Sequence, residues 1–439
     1  MSGQLAAATI RSREGFLSGI LKAVVRFLIL AVVPASLFWF PITELPNIGR
    51  VTASDGILVV LWLASLIYYA TRRSRTAAMD RAFLILLVAL LPGVLAALGV
   101  FAFGGAVGPL TEFGIHMKRF GLAAALPLAM NVFASTRLSR WSPIVLVLCI
   151  LAMVLFSLFQ GLRDLLAIAA LDIDMKTLGE RATGLVSNPN DSAFIVICAL
   201  AATGALVVSG GRSRYVGAVL TGTAAAGALV VIILSGSRSG VIALLAGVTY
   251  FVLYSKWSGT KKGIILSILV LAGTTGLFLG EEFQQRMGSA VTQRLGEESV
   301  SSRLQAQYVV LMAAVENPFG AGFSNFPQAT AHLSSGMVFS AVEGSDSVYF
   351  DTLLGSGFLG LASLLILYRM WWKYVRMSLR SFPEAALMAR GGCLAVFVFG
   401  MATVSPASVF VSPVAFFMVG SCALNGMASR IMISATETD

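Results

Sequence analysis

The chain has 439 residues, of which 57% are hydrophobic and only 12% are charged, and its formal net charge is +10. Soluble domains carry roughly 25% charged residues, so this composition excludes an ordinary soluble enzyme and indicates a protein that folds in a lipid bilayer. Most basic residues lie in short segments between apolar stretches rather than in one patch, which argues against a nucleic-acid-binding protein.

Apolar stretches follow one another along the whole chain, and about 20 apolar residues are enough to cross a bilayer. The first stretch begins near Ala23 without a small-residue cleavage site, so we expect a retained span rather than a removed signal peptide. The pattern predicts an all-α polytopic membrane protein with a single transmembrane domain over 1–439. Twelve spans are predicted, at 24–40, 56–70, 82–103, 120–135, 142–160, 193–209, 216–235, 239–254, 263–280, 348–368, 391–405 and 408–427.

Lysine and arginine residues decide the predicted orientation, because they are enriched in cytoplasmic loops. With twelve spans and both termini in the cytoplasm, most of the 31 basic residues lie on the inner side. This topology leaves two long outer (periplasmic) loops, at 161–192 and 281–347, the second between the ninth and tenth spans. Loops of this length in a compact bundle are usually functional.

Within the second loop, residues 299–315 have the spacing of an amphipathic helix, which could lie along the membrane and cover a cavity. Its predicted polar face contains Arg303 and Gln307. Its predicted apolar face contains Leu304, Tyr308 and Leu311.

Neither cysteines nor histidines indicate a metal or redox centre. His116 and His332 are far apart in sequence, which argues against a zinc site, and no cofactor is predicted. The cysteines all fall inside apolar stretches and are interpreted as packing residues rather than as disulfides or metal ligands. They are Cys149, Cys198, Cys393 and Cys422.

Three arginines fall on the predicted outer side, each in a distinctive local sequence. Arg181 lies in ERATGLVSNPND, Arg238 in ILSGSRSGV and Arg303 in SVSSRLQAQY. An arginine near a bilayer is costly without a partner. Brought together, three guanidinium groups would bind a phosphate-bearing ligand at the membrane surface.

Two of these motifs have both a structural and a functional interpretation. Asn188 and Asn190 in the NPND turn either simply start a helix, or they start a helix whose N-terminus points at an anion beside Arg181. The SGSRSG turn at 235–240 is either an ordinary tight turn with Arg238 reaching the membrane surface, or a backbone cradle for an anion.

The end of the second long loop contains aromatic, glycine and acidic residues. The aromatic rings of 317–326 suit sugar faces or, more commonly, the lipid interface. Glu343 and Asp346 are placed at the mouth of the next span, and Asp351 one turn inside it, where it is either a functional acid or a helix-start charge. Three glycines in this span predict close helix packing: Gly355, Gly357 and Gly360.

The order of these motifs carries a resemblance. An Arg precedes an NPN turn, a span ends in S-x-S-R-S-G, a large loop contains an Arg, and N-P-x-G-x-G-x-x-N-F leads to a Tyr and L-x-x-x-G-x-x-G. Over about Arg181 to Leu361, this set resembles the O-antigen ligase and polymerase superfamily of bacterial membrane glycosyltransferases. The resemblance implies a GT-C-like helical fold in the inner membrane, a donor glycan on undecaprenyl pyrophosphate at the periplasmic face, and metal-independent transfer that inverts the anomeric centre.

The resemblance also implies roles for particular residues. Arg181, Arg238 and Arg303 match the arginines expected to hold the pyrophosphate. O-antigen ligases carry a His-Asn pair before the Tyr at the loop end, whereas this chain has Asp346-Ser347-Val348-Tyr349 there. Asp346 is therefore the first candidate for the general base. The alternatives for the base are Glu343, His332 and Asp351, and the further predicted substrate-binding residues are Asn188, Asn190, Tyr349 and Glu343.

The predicted function is a polysaccharide polymerase that joins lipid-linked repeat units. One alternative is an O-antigen ligase that transfers the glycan to lipid A–core. The other is a polysaccharide or lipid transporter, against which the halves show no internal repeat and the charged candidates lie at the outer edge. The predicted partners are the undecaprenyl-pyrophosphate-linked donor and acceptor, membrane lipids and a chain-length regulator.

Overall fold

The computed structural model describes residues 2–37, 41–45, 49–72, 74–104, 107–169, 185–186, 188–209, 214–267, 306–324, 347–402 and 412–436. These residues are almost entirely helical, which confirms the predicted helical membrane architecture. The helices are α1 Ser2–Leu37, α2 Ala53–Thr71, α3 Ala77–Phe103, α4 Pro109–His116, α5 Leu126–Val132, α6 Thr136–Ala169, α7 Pro189–Ser209, α8 Arg214–Ser235, α9 Arg238–Tyr254, α10 259–267, α11 Ala306–Glu316, α12 Val348–Ser378, α13 Pro383–Ala402 and α14 Ser412–Thr436.

A short antiparallel hairpin is the one feature of the described chain that an all-α prediction omits. Strand β1 (Pro41–Leu45) pairs with β2 (Gly49–Thr52) immediately before α2. The Asp55 side chain accepts a hydrogen bond from the Thr52 backbone N–H at 2.8 Å, which caps the start of α2. The hairpin therefore ends where the second predicted span begins.

Eight helices in the described part of the chain are long and apolar enough to cross a membrane, and each corresponds to a predicted span. Three other predicted spans correspond to the shorter apolar helices Ala123–Val132, Arg238–Tyr254 and Ser412–Leu424. The predicted span 263–280 lies mostly outside the described residues. The total of twelve spans therefore stays a prediction. The eight helices are Gly19–Leu37, Ala53–Thr71, Ala77–Ala102, Thr136–Gln160, Pro189–Ser209, Tyr215–Ser235, Val348–Ser378 and Pro383–Met401.

The helices run beyond the apolar stretches used to locate them. Helix α6 continues to Ala169 and α7 already begins at Pro189, so both enter the segment 161–192 predicted as a loop. Hydropathy marks where a helix can lie in lipid, but a helix continues while its residues favour it, as the leucines and alanines of 161–169 do. The helix α11 lies inside the other predicted loop.

The fourth predicted span is irregular. Helix α4 is followed by a π turn at Met117–Gly121 and a 3-10 turn at Ala123–Ala125 before α5. Pro127, in the first turn of α5, has no N–H to donate to Ala123, so a tighter turn at that point is expected.

Helix α7 lies at the centre of the bundle. In its most apolar 18-residue stretch 83% of the residues are buried, compared with 33% in the corresponding stretch of α8. It packs against α6, α8, α13 and α14, and α13 packs in turn against α9. The backbones of α9 and α13 approach closely, because a Cβ atom on Gly247 would lie 2.8 Å from the carbonyl oxygen of Gly391. The four cysteines are buried free thiols, as their apolar surroundings predicted.

Candidate functional site

The NPND turn and the SGSRSG turn meet in the structure, although 47 positions separate them. The Ser237 hydroxyl donates a hydrogen bond to the Asn190 side-chain oxygen at 2.9 Å. Ser237 also caps α9, since its Oγ accepts from the Gly240 N–H at 3.1 Å. A Cβ atom on Gly240 would lie 2.8 Å from the Ala193 Cβ, so the first turns of α7 and α9 lie side by side.

Arg238 is the first residue of α9 and is exposed at this junction. The first turns of α7 and α9 place the positive ends of two helix dipoles at this junction. On α7, the Asn188 side-chain oxygen already accepts from the Asn190 N–H at 2.8 Å, which forms the turn before the helix. Two adjacent helix N-termini and an exposed arginine favour an anion such as a phosphate, whereas the buried Asp191 in the first turn of α7 adds one negative charge there.

The start of α12 reaches the same end of the bundle through α13. Phe194 in the first turns of α7 contacts Phe399 near the end of α13, with ring centroids 5.0 Å apart. The buried Ser347 hydroxyl donates to the Gly400 carbonyl at 3.1 Å. The Tyr349 hydroxyl donates to the Phe397 carbonyl at 2.7 Å. The N-terminal ends of α7, α9 and α12 therefore surround the C-terminal end of α13.

Helix α12 is broken, and the turn 317–324 fills the break. Gly357 has φ 68° and ψ −167°, a conformation essentially restricted to glycine. The exposed backbone groups are paired with the turn: Phe358 N–H donates to Pro318 O at 3.1 Å, Ala321 N–H to Leu354 O at 2.8 Å, and Gly322 N–H to Gly355 O at 3.0 Å.

The glycines of α12 were predicted to pack closely against another helix, and the structure gives them different packing partners. Gly355 and Gly357 allow close approach of the turn 317–324 rather than of another helix, because a Cβ atom on Gly355 would collide with the Phe323 ring and one on Gly357 with the backbone of Pro318. A Cβ atom on Gly360 would collide with the Ser356 side chain of α12 itself.

Part of the chain that builds this site also matches a known protein family. The family model described as O-antigen ligase matches residues 223–365 of the 439, from within α8 to the second half of α12. The resemblance to the O-antigen ligase and polymerase superfamily is confirmed. A comparison with curated proteins finds no match.

The superfamily match covers Arg238, the turn 317–324 and the break at Gly357, whereas Asn190 lies outside it. It supports a glycosyltransferase-like membrane enzyme of the ligase and polymerase type, with lipid-linked glycans as its class of substrate. Among the residues that the structure describes, no group of three or more His, Cys, Asp or Glu side chains could hold a metal ion.

Glu112 is a residue of this region that sequence reasoning missed. It lies in α4 with 0% of its surface exposed, and its Oε2 accepts from the Phe323 N–H at 2.7 Å. Its Oε1 accepts from the Ser324 N–H at 3.2 Å and from the Ser324 hydroxyl. In the sequence, Glu112 is an acidic residue beside an apolar stretch. It falls between predicted spans, where a solvated carboxylate is ordinary, so the sequence does not distinguish it as a site residue.

The helix α11 packs one of its faces against the rest of the protein. The side chains of α11 that are buried against the protein are alanines and valines: Ala306, Val309, Val310, Ala313 and Ala314. Tyr308 and Leu311, predicted on the apolar face of an amphipathic helix, are 62% and 43% exposed. Small residues allow close packing of helices, and larger apolar side chains are tolerated on the outside of a membrane protein, so the prediction that this helix lies along the membrane stays a prediction.

Several predicted site residues lie outside the described part of the chain. They are Arg181, Arg303, His332, Glu343 and Asp346. Of the three predicted phosphate-binding arginines, only Arg238 is described, so their convergence stays a prediction. Asp351 is described and is half-buried in the first turns of α12.

Proposed function

We propose that this protein is a glycosyltransferase that polymerises undecaprenyl-pyrophosphate-linked oligosaccharide repeat units at the periplasmic face of the bacterial inner membrane. The observation that carries the proposal is the hydrogen bond between Ser237 and Asn190. It joins two motifs of the superfamily resemblance into one junction that contains Arg238 and two helix N-termini.

The junction suits the leaving group of this reaction. As the bond between the anomeric carbon and the phosphate oxygen breaks, negative charge grows on the pyrophosphate. Arg238 and the positive ends of the α7 and α9 helix dipoles lie at this junction and would stabilise that charge. A preorganised donor at such a position is worth about 10²–10³ in rate. Arg181 and Arg303 complete the proposed clamp, which performs the charge neutralisation that a metal ion performs in other transferases.

The acceptor side of the reaction is assigned to the start of α12. Asp346 immediately precedes Ser347, whose hydroxyl is anchored to the Gly400 carbonyl. In the proposed step, a hydroxyl of the acceptor sugar attacks the anomeric carbon opposite the departing pyrophosphate, and its proton passes to Asp346. The products are a new glycosidic bond with inverted configuration and free undecaprenyl pyrophosphate. The growing chain is thereby transferred to the next lipid-linked unit.

A ligase is the second candidate, because the matched family model is described as O-antigen ligase. In that reaction the same donor passes to lipid A–core instead of to a second lipid-linked unit. The polymerase is favoured by the acidic residue Asp346 in the position where ligases resembling this chain carry a His-Asn pair.

One reconstitution separates these candidates. Purified full-length protein is placed in liposomes with lipid-linked oligosaccharide extracted from cells that lack this protein. A ladder of glycan lengths with released undecaprenyl pyrophosphate is the expected result. A single product that appears only after lipid A–core is added would identify a ligase. Movement of unchanged lipid-linked glycan across the bilayer, without new glycosidic bonds, would identify a transporter.

A further inference from the structure

The turn 317–324 is held from two sides. On one side, its backbone pairs with the broken helix α12 through Pro318, Ala321 and Gly322. On the other side, it lies against α3 and α4, where a Cβ atom on Gly322 would lie 2.9 Å from the Glu112 Oε1 and 2.8 Å from a Val100 methyl carbon. The turn therefore acts as a bridge between α4 and α12.

The α4 side of this bridge is built around Glu112. Its fully buried carboxylate accepts hydrogen bonds from two backbone N–H groups, of Phe323 and Ser324, and from the Ser324 hydroxyl. One helical turn later, His116 stacks on the Phe323 ring with centroids 5.5 Å apart, and its Nε2 lies 2.7 Å from the Ala89 carbonyl oxygen. Both oxygens of a buried carboxylate need donors of this kind, so the carboxylate and the turn stabilise each other.

The turn also contacts α11 and α12, two helices that follow predicted site residues in sequence. It follows directly on α11, whose end bonds to it through the Asn317 N–H and the Ala313 carbonyl at 2.8 Å. The described part of α11 starts at Ala306, three positions after Arg303 in sequence, and α12 begins at Val348, two positions after Asp346. Val310 and Ala313 of α11 pack with Leu354 of α12.

We propose that Glu112 is a positioning residue of the transferase. By fixing the turn 317–324 it holds α11 and the first half of α12 in register, the two helices that follow the predicted clamp residue Arg303 and the predicted base Asp346 in sequence. The proposal rests on the proposed function for its catalytic part, whereas the holding of the turn is independent of it. The Glu112 carboxylate bonds to Phe323 and Ser324, so its proposed effect is transmitted through the turn.

The test replaces Glu112 with Gln in the full-length protein. An amide side chain is similar in size, but its nitrogen cannot accept a hydrogen bond, so at least one of the donors of Phe323 and Ser324 loses its acceptor. Amide hydrogen exchange within 317–324 should become faster by about tenfold or more. In liposomes with lipid-linked oligosaccharide from cells lacking the protein, kcat should fall about tenfold or more while KM changes less than about threefold, because the residues that bind the donor remain.

Matched variants separate positioning from general damage. Glu384→Gln makes the same chemical change at an exposed residue in the first turn of α13 and should alter neither exchange nor turnover. Glu112→Asp keeps the carboxylate and should recover part of the turnover. If Glu112→Gln does not fold, Ser324→Ala removes only the hydroxyl donor and should give a smaller change in the same direction.

The outcomes are distinguishable. Unchanged exchange in 317–324 would show that Glu112 does not hold the turn and would overturn the proposal. Faster exchange with turnover equal to that of Glu384→Gln would overturn its catalytic part. A rise in KM with constant kcat would assign Glu112 to donor binding instead. If the wild-type protein forms no glycosidic bond, the proposed function fails and the positioning role with it, while the exchange result still decides whether Glu112 holds the turn.

Discussion

Replacing Ser237 with Ala removes two hydrogen bonds that organise the junction of α7 and α9, besides a 3.2 Å contact between the Ser237 and Ser239 hydroxyls. The first is the helix cap on the Gly240 N–H, and the loss of such a cap costs about 1 kcal/mol. The second is the bond to the Asn190 side chain, worth about 1 kcal/mol net. Because Ser237 is fully buried, water does not replace either bond readily. The combined effect of about 2 kcal/mol corresponds to a factor of about 30 in an equilibrium or rate constant.

We expect turnover of lipid-linked oligosaccharide to fall about 10- to 30-fold in this variant, since the proposed clamp needs Arg238 aligned with both helix N-termini. The control is Ser255→Ala at the other end of α9, where the hydroxyl donates only a local bond to the Val252 carbonyl at 2.8 Å. Both variants are compared by initial rate and by melting temperature of the purified protein in detergent.

A double-mutant cycle gives the sharper result. Asn190→Ala should show a similar loss, and the variant lacking both side chains should be less impaired than the product of the two single effects, with a coupling of about 1 kcal/mol. Equal turnover of Ser237→Ala and Ser255→Ala, or strictly additive effects at positions 190 and 237, would refute the reasoning that this contact aligns the site.

Four further predictions concern the clamp, the helix break, the tyrosine and metal ions. Arg238→Ala should reduce turnover about 10²–10³-fold with normal membrane insertion. Arg238→Lys should retain only part of the wild-type turnover, because a point charge replaces a forked donor. A wild-type rate in Arg238→Ala would contradict the proposed pyrophosphate clamp. Gly357→Ala should destabilise the protein by at least about 1–3 kcal/mol, since φ 68° and contact with the Pro318 backbone both oppose a side chain; an unchanged melting temperature would contradict the break. Tyr349→Phe loses the bond to the Phe397 carbonyl, so a lower melting temperature with constant KM is expected, and a raised KM would instead support the substrate-binding role predicted from sequence. Excess EDTA should leave initial rates unchanged, and inhibition reversed by a divalent cation would contradict the metal-independent mechanism.

Hydropathy predicted the long membrane helices, and the order of the motifs predicted the superfamily. The eight long apolar helices fall on predicted spans, because the cost of placing polar residues in lipid is a local property that can be summed along the chain. The order of short motifs was enough for the superfamily resemblance, which the match over 223–365 confirms. Asn190 and Arg238 were chosen for their local chemistry, without knowledge that their turns touch.

Tertiary structure decided the contacts between distant segments. Nothing local to Ser237 indicates that its hydroxyl bonds to Asn190, and nothing local to Glu112 indicates that it binds backbone groups 211 and 212 positions later. The glycines of α12 were correctly associated with close packing, but only the fold shows that a turn, not a helix, occupies the space at Gly357. Such pairings depend on which surfaces face each other in the bundle. A single sequence shows which residues form each surface, but not which other surface packs against it.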